Sequence, residues 1–419
     1  MVVDYRPRVV DAELATKLGA GGAVLIEGPR ACGKTETARH AARSEVRLDT
    51  DHAARAAGLI EPAVLLEGER PHLIDEWQLV PEVWNPVRRA VDDAGGAAGA
   101  FILAGSAVPP DDAIRHSGAG RFLRLRMRPM SLAEAGYSTG DVSLEGFFTG
   151  NGAHAPRATL SLREIAELVS VGGWPGLQDR TTDQAIEAVR GYVEDTARLD
   201  LPRLDGIHRD PERVRRLMAS LARYTACQVR NAALAADVGG AEDPIKRQTV
   251  GEYVDALSRV FVVENLPAWN PALRSASRIR QAPKRHYVDP SIAVGALGAH
   301  PSNLERQVDT LGLLFESLVV RDLRIYAQAI GARVFHYHDN TGLEADAIVE
   351  AHDGRWAAFE VKLGRREIDN AAEALLRLAG RVNIERHGRP VMLAVITADA
   401  FGIQRPDGVW EIPLGALAP

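Results

Sequence analysis

Cysteine is nearly absent from this chain, since only Cys32 and Cys227 occur among its 419 residues. Two cysteines exclude a disulfide framework and a multi-cysteine zinc site, and such usage is typical of a reducing compartment. Long apolar runs are missing too, because none approaches the roughly 20 residues that span a bilayer. We see no apolar core of a signal peptide either. We therefore expect a cytoplasmic protein with no membrane contact.

An excess of positive charge is also lacking. Lysine and arginine total 50 against 56 acidic residues, so the formal net charge is −6. The whole molecule is not a polycation, and any nucleic-acid contact must come from local patches. A hydrophobic content of 46% and a charged content of 25% are ordinary for globular proteins. The length predicts about three domains.

The pattern G-x-x-x-x-G-K-[ST] follows an apolar stretch at residues 23–26 that predicts a buried parallel strand, and a helix is predicted to follow. Backbone N–H groups of such a loop, together with a helix N-terminus, attract phosphate. Lys34 would reach the β- and γ-phosphates, and Thr35 would offer a hydroxyl to Mg²⁺. The expected ATP-binding residues are Gly28, Pro29, Arg30, Ala31, Cys32, Gly33, Lys34 and Thr35.

Cys32 stands inside this loop, beside Lys34 and a helix N-terminus, a setting that favours the thiolate. We expect either a reactive thiol that bound ATP protects from alkylation, or an inert small side chain.

A second apolar run ends in Asp75 and Glu76, which is a Walker B arrangement. Asp75 would hold Mg²⁺ through water, and Glu76 would orient or deprotonate the attacking water. A third run ends at Ser106, which either senses the γ-phosphate or simply ends a strand. Arg121, in a glycine-rich loop, is our candidate for an arginine finger, acting in cis or from a neighbouring subunit.

The middle of the chain predicts a helix-turn-helix with a wing. Helices are expected over residues 211–224, 228–238 and 245–259, and a wing strand over 260–263. The polar and basic start of the third helix could enter a major groove, whereas the alternative is a helical domain used only for protein contacts. Residues 265–288 contain basic residues and no acid, which suits either phosphate contacts or a solvated linker. These basic residues are Arg274, Arg278, Arg280, Lys284 and Arg285.

The C-terminal region predicts a long helix over 311–329 that carries Glu316, followed by a strand and a hairpin. Asp346 lies on the first hairpin strand. Glu360 and Lys362 lie on the second strand, two residues apart and therefore on one face. This is the geometry of a PD-(D/E)XK nuclease centre, in which carboxylates bind Mg²⁺ and the lysine helps to activate water. We expect Glu316, Asp346 and Glu360 as metal ligands and Asp346, Glu360 and Lys362 as catalytic residues; the alternative is a surface hairpin with a Glu–Lys pair.

Motifs in a specific order connect these regions. They are the P-loop and residues 73–78, 104–106, 120–121, 128–134, 172–175, 287–290, 315–316, 344–346 and 360–362. With them the chain resembles bacterial and archaeal AAA-type P-loop ATPases whose C-terminal domain of unknown function has a PD-(D/E)XK, restriction-endonuclease-like core. Ala104 replaces the usual Thr before Gly105, and His338 stands where Arg is common. The resemblance implies ATP binding and hydrolysis.

We therefore expect an α/β protein with a P-loop NTPase domain, a winged-helix-like middle domain and a restriction-endonuclease-like α/β domain. The expected boundaries are 1–135 for the ATPase, 136–204 for a helical linker, 205–288 for the winged-helix-like domain with its basic linker, and 289–419 for the nuclease-like domain. The expected cofactors are ATP and Mg²⁺.

We expect an ATPase that acts on, or is regulated by, nucleic acid, with duplex DNA as the expected partner; self-association into a homo-oligomer stays open. The alternative is a non-nucleolytic, ATP-driven switch or scaffold that binds a protein partner.

Overall fold

The computed structural model describes residues 5–105, 118–150, 155–207, 209–239, 244–271 and 281–419. The predictions made for Ser106, Arg274, Arg278 and Arg280 therefore lie outside the described residues. Among the described helices, none is long and apolar enough to cross a membrane.

The helices are numbered here in chain order. They are α1 (Val10–Ala20), α2 (Lys34–Ala41), α3 (His52–Ile60), α4 (Trp84–Asp93), α5 (Leu132–Ala135), α6 (Leu144–Thr149), α7 (Leu162–Val171), α8 (Thr182–Asp195), α9 (Leu201–Asp205), α10 (Pro211–Arg223), α11 (Asn231–Gly239), α12 (Arg247–Arg259), α13 (Pro290–Ala296), α14 (Pro301–Leu304), α15 (Val308–Ala329), α16 (Ile368–Arg381) and α17 (Ile384–His387).

The strands are numbered in the same way. They are β1 (Ala23–Glu27), β2 (Ser44–Arg47), β3 (His72–Asp75), β4 (Phe101–Gly105), β5 (Phe122–Arg126), β6 (Val142–Ser143), β7 (Ala155–Thr159), β8 (Cys227–Gln228), β9 (Lys284–Arg285), β10 (Arg333–His338), β11 (Glu344–Glu350), β12 (Trp356–Lys362), β13 (Met392–Thr397), β14 (Asp399–Gln404), β15 (Trp410–Pro413) and β16 (Leu417–Ala418).

The chain divides into two compact units. Unit 1 comprises Met1–Pro129, Arg198–Arg209 and Asp255–Val262, and unit 2 comprises Met130–Ala197, Asp210–Val254 and Val263–Pro419.

Unit 1 is built on a five-stranded parallel sheet with the order β2-β3-β4-β1-β5. The inner strands β1, β3 and β4 are almost entirely buried apolar runs, as expected for parallel strands covered on both faces. All five carboxyl ends meet at one edge, which is where parallel α/β sheets bind ligands. This topology is that of a P-loop NTPase domain and agrees with the sequence prediction.

Unit 2 is built on a seven-stranded mixed sheet with the order β10-β11-β12-β13-β15-β14-β7. The predicted hairpin is β11 and β12, and β12 then runs parallel to β13. The long helix α15 and the amphipathic helix α16 both pack on this sheet. The strand β7 completes the sheet by pairing with β14, although we had predicted its segment to be a linker. Residues 136–204 are thus not only a connector.

The predicted wing is wrong. The three helices of the middle region are present as α10, α11 and α12, but residues 260–263 form a turn in which Phe261 has φ 62°. Val263 makes only an isolated bridge to Tyr287. The two-stranded ribbon of this region pairs β8 with β9. The apolar run Val260–Val263 is buried, so it reflects packing rather than a strand.

A buried ionic network connects three of the sequence motifs inside unit 2. The Arg321 guanidinium donates to Asp289 (2.9 Å) and to Asp322 (2.9 and 2.7 Å). Asp289 also accepts from the Gly173 backbone N–H, and Asp322 accepts from the backbone N–H of Leu132. The buried charges are thus paired and hydrogen-bonded, as burial requires. These motifs are therefore structural contacts.

Candidate functional site

The P-loop connects β1 to α2 with backbone geometry that its glycines permit. Gly33 has φ 101°, in the left-handed region that favours glycine. A Cβ on Gly28 would lie 2.3 Å from the Met127 carbonyl oxygen, so no larger residue fits there. The loop encloses a cavity of about 230 Å³ lined by Arg30, Ala31, Gly33, Lys34, Thr35, Glu36 and Glu76. Six of the seven belong to the loop and the start of its helix, as a phosphate cradle requires.

The Lys34 ammonium lies inside this cradle. It donates to the carbonyl oxygens of Gly28 (3.0 Å) and Pro29 (2.7 Å) and is buried. A lysine held in this position presents a point charge to phosphate oxygens that replace the carbonyls.

Thr35 and Asp75 lie side by side at the end of the P-loop. The Thr35 hydroxyl donates to both carboxylate oxygens of Asp75, at 2.9 Å and 3.2 Å. Burial raises the pKa of Asp75, while the Thr35 hydrogen bond opposes that shift. A hydroxyl and a carboxylate side by side form a hard donor set that fits Mg²⁺. Bound there, the metal would neutralise charge on the β- and γ-phosphates.

Glu76 borders the cavity and is oriented by Gln78, a residue whose role the sequence analysis missed. The Gln78 amide donates to the Glu76 carboxylate. Burial raises the pKa of Glu76, and the nearby Lys34 charge counteracts it. Glu76 itself has φ 53°, a strained backbone conformation for a non-glycine residue that often marks functional sites. Its carboxylate is thus held at the cavity wall and can accept a proton from water.

Arg8 is a second residue that sequence reasoning missed. Its buried guanidinium donates to the Cys32 carbonyl and to the Arg128 carbonyl, both at 2.8 Å. It thereby links the P-loop to the segment that follows β5. Cys32 is fully buried, which favours the inert side chain over the reactive, alkylatable thiol.

Arg121 does not lie at this site, so its role as a finger in cis is wrong. Its carbonyl accepts from the Ala23 backbone N–H at the start of β1, the sheet edge opposite the P-loop. Five strand residues separate the two edges, roughly 16 Å. The side chain is 42% exposed and pairs with Asp92 at 2.8 Å. Action from a neighbouring subunit stays a prediction.

In unit 2 the structure brings together Glu316 of α15, Asp346 of β11, and Glu360 and Lys362 of β12. Lys362 Nζ lies 2.8 Å from Glu360 and 3.8 Å from Asp346. The Val361 backbone N–H donates to Asp346 at 3.0 Å. We call these four residues, together with Lys284, the carboxylate–lysine cluster.

Lys284 is the member that the sequence analysis placed elsewhere. Its Nζ lies 2.7 Å from Glu316 and 2.9 Å from Asp346, and the side chain is 9% exposed. For Lys284 both predicted roles, a phosphate contact and a place in a solvated linker, are therefore wrong, because its ammonium turns inward. The Arg285 guanidinium donates hydrogen bonds to the side-chain oxygens of Asn265 and Asn231.

The protonation of the cluster follows from its burial. Burial, and then the neighbouring Asp346 charge, raise the pKa of both Glu316 and Glu360 to about 8. Burial by itself would raise the pKa of Asp346 too, but the Lys284 and Lys362 charges lower that pKa overall. Burial would lower the pKa of Lys284, yet Asp346 and Glu316 raise it. Lys284 is therefore a fixed cation between carboxylates.

The cluster does not fit a divalent metal. Within the described parts of the chain, no group of three or more His, Cys, Asp and Glu side chains is arranged to hold a metal ion. The Lys284 ammonium lies between Glu316 and Asp346, where a cation shared by these two carboxylates would be placed. The geometry thus contradicts Glu316, Asp346 and Glu360 as metal ligands, because the Lys284 ammonium holds Glu316 and Asp346 and the Lys362 ammonium holds Glu360.

Two buried histidines border the cluster. Burial and nearby cationic groups lower the pKa of His286 well below its usual range, and burial and Lys284 lower that of His336 to about 4. His286 Nδ1 lies 3.1 Å from the Ser317 hydroxyl. Both rings are therefore neutral at physiological pH and add no positive charge.

Comparison with known protein families finds three matches along the chain. A family model described as "AAA domain" matches residues 20–136. Two models described as domains of unknown function, DUF8612 and DUF4143, match residues 162–303 and 311–417. Together with the P-loop and the parallel sheet, the first match supports a P-loop ATPase domain, and residues 20–136 are similar to the AAA domain family. The class supports ATP binding and hydrolysis.

Among solved structures, the Walker-type ATPase PABY2304 of Pyrococcus abyssi is 13% identical, covers 71% of this chain and 99% of its own, and has a TM-score of 0.43. A point variant of RuvB from Thermotoga maritima is 18% identical, covers 62% of this chain and 89% of its own, and has a TM-score of 0.27. Neither TM-score is high enough to indicate a common overall fold. The comparison with curated proteins finds no match.

Proposed function

We propose that this protein is an ATP-driven switch regulated by nucleic acid, in which the C-terminal domain has a nuclease-like frame but does not cleave. ATP binding and turnover would take place at the P-loop, with Lys34 on the phosphates, Thr35 and Asp75 on Mg²⁺, and Glu76 on the attacking water.

The observation that carries the non-cleaving part is the position of Lys284. A metal-dependent nuclease needs carboxylates that are free to bind a divalent cation. Here Glu316 and Asp346 hold a buried ammonium at 2.7 and 2.9 Å instead. Removing that lysine would take a shared cation from two buried carboxyl groups, which is energetically costly. The geometry therefore favours the switch over the nuclease that we considered first.

The convergence of Asp346, Glu360 and Lys362 on one sheet region supports the nuclease-like frame. Frame and activity are separable, because the same fold supports many functions.

A nicking assay separates the two functions. Supercoiled plasmid is incubated with the full chain and Mg²⁺ or Mn²⁺, with and without ATP, alongside the Lys362→Ala variant. We expect no nicking above the level of that variant under any condition. Nicking by the wild-type chain that Lys362→Ala abolishes would overturn the non-cleaving assignment.

A second assay tests the switch. We expect Lys34→Ala to abolish tight ATP binding, because the cradle loses its phosphate-directed cation. We then compare hydrogen exchange of the Glu76→Gln variant, which is expected to bind ATP without hydrolysing it, in the presence and absence of ATP. We expect ATP to change protection in unit 2 in Glu76→Gln but not in Lys34→Ala. Protection changes confined to unit 1 would contradict a switch.

A further inference from the structure

A second concave site lies in unit 2, at the other end of the β11–β12 hairpin from the carboxylate–lysine cluster. Asp346 and Glu350 are four residues apart on β11, which separates the two sites by roughly 13 Å. This groove has a volume of about 940 Å³. It lies among the start of β10, the hairpin turn, the segment after α17 and the residues around Trp269. We call it the arginine groove.

Positive charge dominates its lining. Four arginines, Arg333, Arg355, Arg386 and Arg389, face two acids, Glu350 and Asp353. Both acids are engaged, because Asp353 pairs with Arg355 at 2.7 Å and Glu350 accepts from the Trp269 indole at 3.1 Å. Within the parts of the chain that the structure describes, Arg333, Arg386 and Arg389 form no salt bridge, and all three are exposed. In a chain of net charge −6 this is a local excess of cations.

The groove offers charged side chains and no exposed face of a tryptophan ring. Trp269 and Trp356 form its floor but are only 2% and 1% exposed. The Trp356 indole N–H points at the Gly388 carbonyl oxygen at 3.4 Å. Neither ring offers a face on which a base could stack. Arginine forks bind phosphate oxygens in pairs, so the ligand that fits is a phosphodiester backbone.

We propose that the arginine groove binds the backbone of single-stranded nucleic acid. A volume of about 940 Å³ is near the upper end of ligand pockets, which holds a few nucleotides of a flexible strand but not the body of a rigid duplex. The sequence analysis expected duplex DNA. This inference rests on the nucleic-acid part of the proposed function and gives it a location distinct from the nuclease-like cluster.

Fluorescence anisotropy of a labelled single-stranded 12-mer on the full chain tests the groove. The triple variant Arg333→Gln, Arg386→Gln, Arg389→Gln is compared with a matched control, Arg163→Gln, Arg190→Gln, Arg216→Gln. The control removes the same charge from exposed positions in the same unit. We expect at least a tenfold loss of affinity in the groove variant and less than a twofold change in the control. In the groove variant, the slope of log affinity against log salt concentration should decrease in magnitude by about 2, because three phosphate contacts are lost.

Competitors identify the ligand. A duplex of the same sequence and a poly-glutamate peptide of equal charge should bind at least tenfold more weakly than the single strand, and tripolyphosphate should compete only at much higher concentration. An equal loss of affinity in the two triple variants would show that the arginine groove is not the binding site. Regulation by nucleic acid would not be contradicted by that result. No binding of any nucleic acid would overturn that part of the proposed function as well. Tighter binding of the duplex or the peptide would reject the single-strand assignment.

Discussion

At the residue scale, Lys34 and Glu76 separate nucleotide binding from turnover. Lys34 lies within the phosphate cradle, whereas Glu76 borders it with its carboxylate held by Gln78. We expect Glu76→Gln to bind ATP with an affinity within about threefold of wild type. It should lose at least about 10²-fold in hydrolysis, because the amide cannot accept the proton of water. Phosphate release and binding of a fluorescent ATP analogue measure the two effects.

Glu82→Gln is the matched control, since Glu82 is an exposed carboxylate of the same unit. It should hydrolyse ATP at the wild-type rate. Wild-type turnover by Glu76→Gln would reject the Walker B assignment.

The position of Arg121, paired with Asp92, predicts little effect of this arginine on hydrolysis. Because Arg121 lies at the sheet edge opposite the P-loop, we expect Arg121→Ala to change hydrolysis by less than twofold in the isolated chain. A loss on the order of 10³-fold that Lys34→Ala protein partly rescues on mixing would show a finger supplied by a neighbouring subunit. Light scattering of the same samples reports whether copies of the chain associate.

Lys284 tests how a buried charge cluster is balanced. We expect Lys284→Ala to lower the free energy of unfolding by about 3–5 kcal/mol, since it leaves Glu316 and Asp346 without their shared cation. Lys362→Ala should cost less, because Lys362 is 25% exposed and Lys284 only 9%. Urea unfolding followed by tryptophan fluorescence measures both. An equal effect of the two substitutions would mean that water reaches the whole cluster.

At the element scale, the turn between β10 and β11 depends on one carboxylate. Asp339 accepts from the backbone N–H groups of Thr341 (2.8 Å) and Leu343 (3.1 Å) and pairs with Arg381. Burial raises the pKa of Asp339, but these hydrogen bonds, with that of the Thr341 hydroxyl, together lower it to about 2. Gly342 completes the turn with φ 82°. Ionisation of Asp339 therefore adds to the stability of the turn.

This gives a pH-dependent prediction. A carboxyl whose pKa is lower in the folded state contributes stability above its unfolded pKa and loses it as the pH falls toward the folded value. We expect Asp339→Asn to destabilise by about 1 kcal/mol at pH 7, with the difference from wild type shrinking between about pH 4 and pH 2. Urea midpoints at pH 7 and pH 3 check this. A difference that is equal at both pH values would exclude ionisation as the cause.

At the scale of the whole molecule, unit 2 is held together by contacts between distant parts of the sequence. Arg321 and Asp322 of α15 connect the three motifs around residues 132, 173 and 289. We expect Arg321→Met to destabilise unit 2 by about 3–5 kcal/mol, because it leaves two buried carboxylates uncompensated. The control Arg163→Met changes a side chain that is 75% exposed and should have little effect. Hydrogen exchange shows in which unit stability is lost. An equal increase of exchange in both units would contradict a loss of stability in unit 2 alone.

Local sequence patterns were sufficient for the nucleotide site. The P-loop follows β1, Asp75 is the last residue of β3 and Glu76 comes next, and parallel strands bring their carboxyl ends to one edge. Those residues therefore had to meet near the loop once the strands formed. The hairpin that carries Asp346, Glu360 and Lys362 was predictable for a different reason, because its two antiparallel strands are adjacent in the chain.

Only the tertiary structure decided the environment of the remaining residues. Lys284 reads in sequence as one of five basic residues in a stretch without acids, yet its ammonium lies between carboxylates 32 and 62 positions away. Arg121 follows a glycine-rich loop, yet β5 delivers it to the far edge of the sheet. β7 pairs with a strand some 240 residues later. The sequence determines strands, turns and motifs because these depend on neighbouring residues. Long-range ion pairing and burial depend on which distant segments meet, and that is set by the packing of the whole chain.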